Sequence, residues 1–291
     1  MLFSSIPFLY TFLPCVLILY FLVPGCLKNT VLLLSSLFFY AWGEPRFVVF
    51  MVIAIVQGYV FGLLAEKFRD RPKRAKLCLW ASAAISLGLL CYCKYADFFI
   101  SGFNTLTGLS LPLLHVALPI GISFYTFAAI SYLIDAARGD CEVETSFIDF
   151  ALFLNFFATV TQGPICRAGA LLPQFKAEHR FDAARTVQAL RLLALGLFKL
   201  VAVSDVLGLL VDEVFPHYGS YGGPMLVLAA VFYTFQLYFN FSGYSEVARA
   251  VGLLLGLTLP ENFKTPFFAT NFSGFWSRWH ISFSSLSLIH I

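Results

Sequence analysis

The chain has 291 residues, of which 59% are hydrophobic, 18% aromatic and only 12% charged. A soluble domain carries about 25% charged residues, so this composition excludes a soluble globular enzyme and a disordered chain. The net charge of +3 provides no basic face and excludes a nucleic-acid binder. The composition is that of an integral membrane protein.

Charge-poor runs predict the membrane helices in chain order. A helix needs about 20 apolar residues to cross a hydrocarbon core of about 30 Å. We expect about eight crossings plus re-entrant or interfacial helices, and therefore an all-α polytopic membrane fold. The segments that carry this prediction are 1–27, 29–43, 47–65, 77–93, 98–134, 150–166, 186–211 and 214–245. They are continuous apolar runs without strand-like alternation, which favours helices over a membrane barrel.

The basic loop 66–76 sets the predicted orientation. It contains six Lys or Arg against two acidic residues, and such loops face the cytoplasm. Three crossings before it place the N-terminus outside. The loops 135–149 and 167–191 then both belong inside, although only the apolar segment 150–166 separates them. We therefore expect a re-entrant element near 161–167, where Pro164 breaks the helix and protein covers the irregular backbone.

Polar residues within these apolar segments are the candidate functional positions. Gln236, Asn240 and Gly243 recur at helical spacing on one face, which predicts either a packed interface or the lining of a cavity. Trp276 and Arg278 are typical of an anchor at the membrane surface. The adjacent His280, taken alone, favours a structural role. The seven cysteines have no metal-ligand spacing, so we expect no metal site.

Several polar segments together resemble the membrane-bound O-acyltransferase family, in particular its bacterial branch of alginate O-acetylation and teichoic-acid D-alanyl transfer proteins. They occur in the family's order. The matching segments are PIGISFYTF…SYLID…RG (119–139), TQGPICR (161–167), QLYFNFSGYSE (236–246), LPENF (259–263) and FWSRWHIS (275–282).

The resemblance implies a many-helix fold around a tunnel, in the bacterial cytoplasmic membrane. It implies transfer of an acyl group, expected to be acetyl, from acetyl-CoA or an acylated carrier protein to a hydroxyl of a cell-surface polysaccharide. No tightly bound cofactor is expected. The implied partners are membrane lipid, the acyl donor, the polysaccharide acceptor and an extracytoplasmic acyl-transfer protein.

The resemblance also assigns roles to residues. His280 corresponds to the first of two family histidines and is the expected catalytic base. The residues expected to line the tunnel or substrate site are Ser123, Tyr125, Gln162, Arg167, Gln236, Asn240, Ser242, Tyr244, Trp276 and Arg278.

Three departures from the family pattern qualify these roles. Asn240 stands where many members carry Asp. The Trp-Phe-Arg-Asp-Tyr-type stretch expected after Ser282 and the later Trp-His segment have no counterpart. We therefore expect one incomplete family domain over 1–285, a foreign or frameshifted tail at 286–291, and an inactive fragment.

Two other functions fit the same residues. A transporter or flippase also places polar residues and broken helices inside a membrane, but it moves a substrate without chemistry. A non-catalytic scaffold would recruit a soluble acyl-transfer protein and would not need His280.

Overall fold

The computed structural model describes residues 2–43 and 45–290, apart from the side chains of 72 and 287–290. Most of the tail predicted to be foreign, 286–291, therefore lies outside the described side chains. No residue in the described ranges belongs to a β-strand, as the all-α prediction requires. The helices are α1 (Leu13–Leu22), α2 (Gly25–Ala41), α3 (Val48–Lys67), α4 (Pro72–Thr107), α5 (Ile122–Arg138), α6 (Phe147–Asn155), α7 (Ala168–Lys176), α8 (Ala183–Leu197), α9 (Asp205–Val214), α10 (Gly223–Leu255), α11 (Phe272–Trp276) and α12 (Ile281–His290).

Some helices run on through wider or tighter turns. A π-helical segment, Pro7–Phe12, leads into α1, and another, Phe198–Ser204, joins α8 to α9. The remaining short turns are 3₁₀-helical: Pro45–Phe47, Tyr218–Ser220 and Pro266–Phe268.

Four helical stretches of the described chain are long and apolar enough to cross a membrane. They are Pro45–Lys67, Lys73–Thr107, Ala183–Val214 and Gly223–Leu255, and Pro7–Leu22 and Gly25–Ala41 are shorter apolar helices. The predicted count of about eight crossings is therefore not confirmed. The predicted 77–93 crossing is part of the longer helix α4, which continues without a helix breaker until Gly108. Segment 150–166 forms no long helix, because α6 has nine residues and spans only about 14 Å.

The helices α6 and α7 enter and leave the bundle at the same end. Between them, residues 156–167 are non-helical and mostly buried. Lys176, at the end of α7, lies 2.8 Å from the Glu144 carboxylate just before α6. Asn29 of α2 donates to both the Asp149 carboxylate, at 2.7 Å, and the Phe175 carbonyl, at 2.9 Å. These contacts bring the segments before α6 and at the end of α7 together, and re-entry into the membrane stays a prediction.

Other contacts define the two ends of the bundle. Gln174 of α7 accepts from the backbone N–H of Thr258, at 2.7 Å, just after α10. The guanidinium of Arg69 lies 3.6 Å from the position of a Cβ on Gly139, so the 66–76 loop meets the end of α5. We call this end, which gathers 25–29, 66–76, 135–149 and 168–180, the basic end. The other end gathers the first residues of the chain, the end of α2 and residues 118–122, and we call it the opposite end.

Two glycines allow α8 and α10 to pack closely. A Cβ on Gly243 would lie 2.9 Å from the Gly196 carbonyl oxygen and 2.8 Å from Leu200 Cγ. Small residues permit this approach between membrane helices. The polar face predicted from Gln236, Asn240 and Gly243 therefore faces α8 and the π-helical segment after it at its Gly243 end.

Candidate active site

The segment that carries His280 is held by hydrogen bonds to two other motifs. The backbone N–H of Ile281 donates to the Asn262 carbonyl at 2.9 Å, and the N–H of Ser282 donates to the Asn262 side-chain oxygen at 3.3 Å. The Ser282 hydroxyl accepts from the backbone N–H of Ile165 at 3.1 Å. The segment 161–167 thus meets 259–263 and 275–282, which follow it about 100 residues later in the chain.

His280 itself has a strained backbone and a half-buried ring. Its φ of 45° is left-handed, which costs a non-glycine residue about 1–2 kcal/mol. Its ring centroid lies 4.6 Å from that of Phe241 on α10 and 5.2 Å from that of Phe283 on α12. Nε2 is buried and has no hydrogen-bond partner among the described residues. Strain of this kind is concentrated at functional sites.

The surroundings of His280 keep its imidazole neutral. Burial lowers the pKa of His280 to about 4, so the ring carries no charge at neutral pH. A neutral imidazole has one nitrogen that can accept a proton. Phe241 lies 18 residues from the start of α10 and 14 from its end, so the His280 ring packs beside the middle of α10.

Three voids follow the irregular segment 156–167. A cavity of about 350 Å³ lies at the opposite end, and Ser123, Gln162 and Tyr244 line it together. A cavity of about 310 Å³ lies toward the basic end, lined in part by Arg167 and Ser282. The first cavity shares Phe124 with a void of about 20 Å³, and the second shares Ile165 and Cys166 with it. Such a void holds about one water molecule, and we call it the constriction between the two cavities.

His280 lies next to residues that line these voids. The next two residues, Ile281 and Ser282, line the basic-end cavity. Phe283, which stacks on the His280 ring, is 6.2 Å from Phe127 on α5, one turn after the Phe124 that borders the constriction. Tyr125 lines the constriction, and its buried hydroxyl faces that of Tyr40.

Two of the predicted polar residues lie between helices, outside these voids. Ser242 accepts from the Lys199 ammonium at 3.0 Å, and the same ammonium lies 2.5 Å from the Glu246 carboxylate. The Gln236 amide nitrogen lies 2.7 Å from the position of a Cβ on Gly208, in the contact between α9 and α10. Asn240 is half-buried on the same helix. For these residues a tunnel-lining role stays a prediction.

The remaining predicted residues lie on α11 and its end. Trp276 is 57% exposed, and Arg278 is half-buried, with its carbonyl accepting from the Lys264 N–H at 3.0 Å. The exposed indole agrees with the anchor interpretation. Trp279, which the sequence predicts to be part of the same anchor, stacks on Phe275 with ring centroids 5.5 Å apart.

Sequence reasoning missed several residues that organise the site. Asn262 lies in a quoted motif but was not selected, although a buried amide inside LPENF was a usable signal. Lys199 and Glu246 interrupt apolar runs, and their isolation was the available signal for a buried ion pair. For Tyr40, nothing in the sequence distinguishes it from the other tyrosines. All seven cysteines are free, and the described residues contain no group of three His, Cys, Asp or Glu suited to a metal ion.

Comparison with known proteins identifies the family. Residues 141–286 match the membrane-bound O-acyltransferase family. The chain belongs to this family. It is 39% identical to a "probable alginate O-acetylase AlgI" of Pseudomonas syringae, over 98% of this chain and 55% of the relative. It is also 32% identical to a peptidoglycan O-acetyltransferase of Helicobacter pylori, over 98% of this chain and 60% of that protein.

A third relative matches a shorter part. The teichoic acid D-alanyltransferase of Streptococcus thermophilus is 34% identical over 57% of this chain and 41% of its own length. The chain thus spans little more than half the length of the curated relatives that it matches along its whole extent. The family branch expected from the motifs is confirmed.

Proposed function

We propose that this chain acts as an O-acyltransferase of the bacterial cytoplasmic membrane. It would move an acyl group, expected to be acetyl, from a thioester donor to a hydroxyl of a cell-surface polysaccharide or related polymer. Family membership supports the reaction class, and the names of the relatives support acetyl transfer to a polymer. The observation that carries the proposal for this chain is the unpartnered ring nitrogen of His280, two residues before the Ser282 that lines the basic-end cavity.

The proposed chemistry needs a neutral base. The acceptor O–H gives its proton to a ring nitrogen of His280 while its oxygen bonds to the thioester carbonyl carbon. The C–S bond then breaks, and the imidazolium returns the proton to the leaving thiolate. His280 ends the reaction neutral, and the acceptor ends it as an ester.

The cavities suggest separate routes for the two substrates. The positive-inside rule assigns the basic end to the cytoplasm, where acetyl-CoA or an acylated carrier protein would be found. Arg167, which lines the basic-end cavity, provides a cation for the phosphate groups of such donors. The acceptor, or an extracytoplasmic acyl-transfer protein, would approach the opposite-end cavity, lined by Ser123, Gln162 and Tyr244.

The test is acyl transfer with and without the His280 imidazole. Membranes containing this chain, and a chimera in which residues 1–285 replace the matching part of the Pseudomonas syringae relative, are supplied with radiolabelled acetyl-CoA. Incorporation of label into polysaccharide is then measured. His280→Asn should abolish transfer while the protein still folds, because Asn tolerates a left-handed backbone.

A second histidine provides the matched control. His115 also has a left-handed backbone, with φ of 48°, but its side chain is 80% exposed. His115→Asn should leave transfer unchanged. Transfer that survives His280→Asn would contradict the proposal and favour the scaffold. Substrate flux without label incorporation in either format would favour the transporter.

A further inference from the structure

A groove outside the proposed site lies between α3, α4 and α5 at the basic end. Its volume is about 570 Å³. Three cationic residues and one acidic residue lie among the residues that line it: Arg69, Lys76, Arg138 and Glu66. Arg69 lies 3.2 Å from the Glu66 carboxylate, and Lys76 adds a further cation to the same lining.

The groove changes from charged to apolar along its length. On α4, Lys76, Leu79 or Trp80, Ala83 and Leu87 follow one another at helical spacing, and all line the groove. On α5, Ile130, Ile134 and Arg138 do the same, with the charge at the same end. The groove therefore has an apolar wall along α4 and α5 and a cationic entrance at the basic end.

The length of this wall matches one leaflet of a bilayer. From Lys76 to Leu87 the helix rises about 17 Å, and half of a hydrocarbon core of about 30 Å is about 15 Å. Trp80, which is 70% exposed, lies one turn below the cations. Amphipathic aromatic side chains favour that depth, between headgroups and acyl chains.

We propose that this groove binds an anionic phospholipid of the cytoplasmic leaflet. The phosphate lies between Arg69 and Lys76, and one acyl chain lies along the α4–α5 wall. Charge complementarity selects an anionic headgroup, because the cations outnumber the single carboxylate. A soluble phosphate compound would use the cations but would leave the apolar wall exposed. The inference is independent of the proposed acyl transfer.

The test measures bound lipid on the purified full chain. The chain is reconstituted in phosphatidylcholine nanodiscs with a small fraction of spin-labelled phosphatidylglycerol, and the immobilised fraction is measured by EPR. Arg69→Gln/Lys76→Gln should weaken specific binding up to about 30-fold, since each direct ion pair with the phosphate contributes up to about a factor of five. The matched control, Arg71→Gln/Lys73→Gln, removes the same charge from exposed positions of the same loop outside the groove. It should change the affinity for spin-labelled phosphatidylglycerol less than about threefold.

A second variant tests the apolar wall without changing charge. Ala83→Trp fills the middle of the groove and should also release the immobilised lipid, while the melting temperature shows whether the chain remains folded. The proposal would be overturned if spin-labelled phosphatidylcholine bound as well as spin-labelled phosphatidylglycerol. It would also be overturned if the control pair weakened binding as much as Arg69→Gln/Lys76→Gln, or if Ala83→Trp retained binding. Complete displacement by free coenzyme A would overturn it in favour of a soluble phosphate ligand.

Discussion

The ion pair between Lys199 and Glu246 offers a quantitative test of the packing between the helices α8 to α10. Both side chains are mostly buried, at 16% and 17% exposure, and their charged atoms lie 2.5 Å apart. Removing one partner of a buried pair leaves an uncompensated charge and costs about 3–5 kcal/mol. We therefore expect Lys199→Met and Glu246→Gln each to destabilise the protein by that amount.

The double variant separates the pair from its individual residues. When both charges are removed, no buried charge remains, so Lys199→Met/Glu246→Gln should recover most of the loss. The assay is thermal unfolding in detergent, followed by size-exclusion chromatography. At about 2 °C for each kcal/mol in a chain of this size, each single variant should lower the Tm by about 6–10 °C.

An exposed pair is the control for the same measurement. Arg180 lies 3.0 Å from Glu178, but the side chains are 82% and 69% exposed, and surface pairs contribute less than about 1 kcal/mol. Arg180→Gln should shift the Tm by at most about 2 °C. The reasoning would be refuted if the single variants of the buried pair shifted the Tm as little as this control. It would also be refuted if the Tm loss of the double variant equalled the sum of the losses of the two single variants.

Two further predictions concern the site. Gly121→Ala should destabilise the protein by more than about 2 kcal/mol, because Gly121 has φ of 73° and a Cβ there would lie 2.0 Å from the Val160 carbonyl oxygen. Gly88→Ala in α4, where a Cβ meets nothing within 4 Å, should be neutral or stabilising, and equal Tm shifts would contradict the steric argument. Because burial lowers the pKa of His280 to about 4, the acid limb of kcat/KM for acyl transfer should fall near pH 4; a limb near pH 6.5 would contradict it.

The sequence predicted the fold well where one apolar run corresponds to one helix. Runs 29–43 and 47–65 became α2 and α3 nearly as expected, because their ends carry charges, Gly or Pro. The helix that contains the predicted crossing 77–93 runs on to Thr107, because hydropathy marks where charges begin, whereas a helix ends where backbone hydrogen bonding ends. Lys94 and Asp97 therefore lie within α4.

The candidate site was predictable in its motifs but not in its geometry. Spacing on α10 put Gln236 and Gly243 on one face, yet it could not show that this face meets Gly208 and Gly196. Sequence patterns record which residues share a helix face, while the partner of that face depends on long-range packing. The left-handed backbone of His280 was equally invisible, since no glycine marks it.

The geometry explains why the histidine segment is accompanied by distant motifs. A residue with φ of 45° relaxes to an ordinary backbone unless neighbouring bonds hold it. Here the N–H groups of Ile281 and Ser282 are held by Asn262, and the Ser282 hydroxyl is held by Ile165. The LPENF and TQGPICR segments therefore position the imidazole rather than touch a substrate at these atoms. Loss of the Asn262 side chain should accordingly impair transfer through the orientation of His280, with little change in the affinity for the acyl donor.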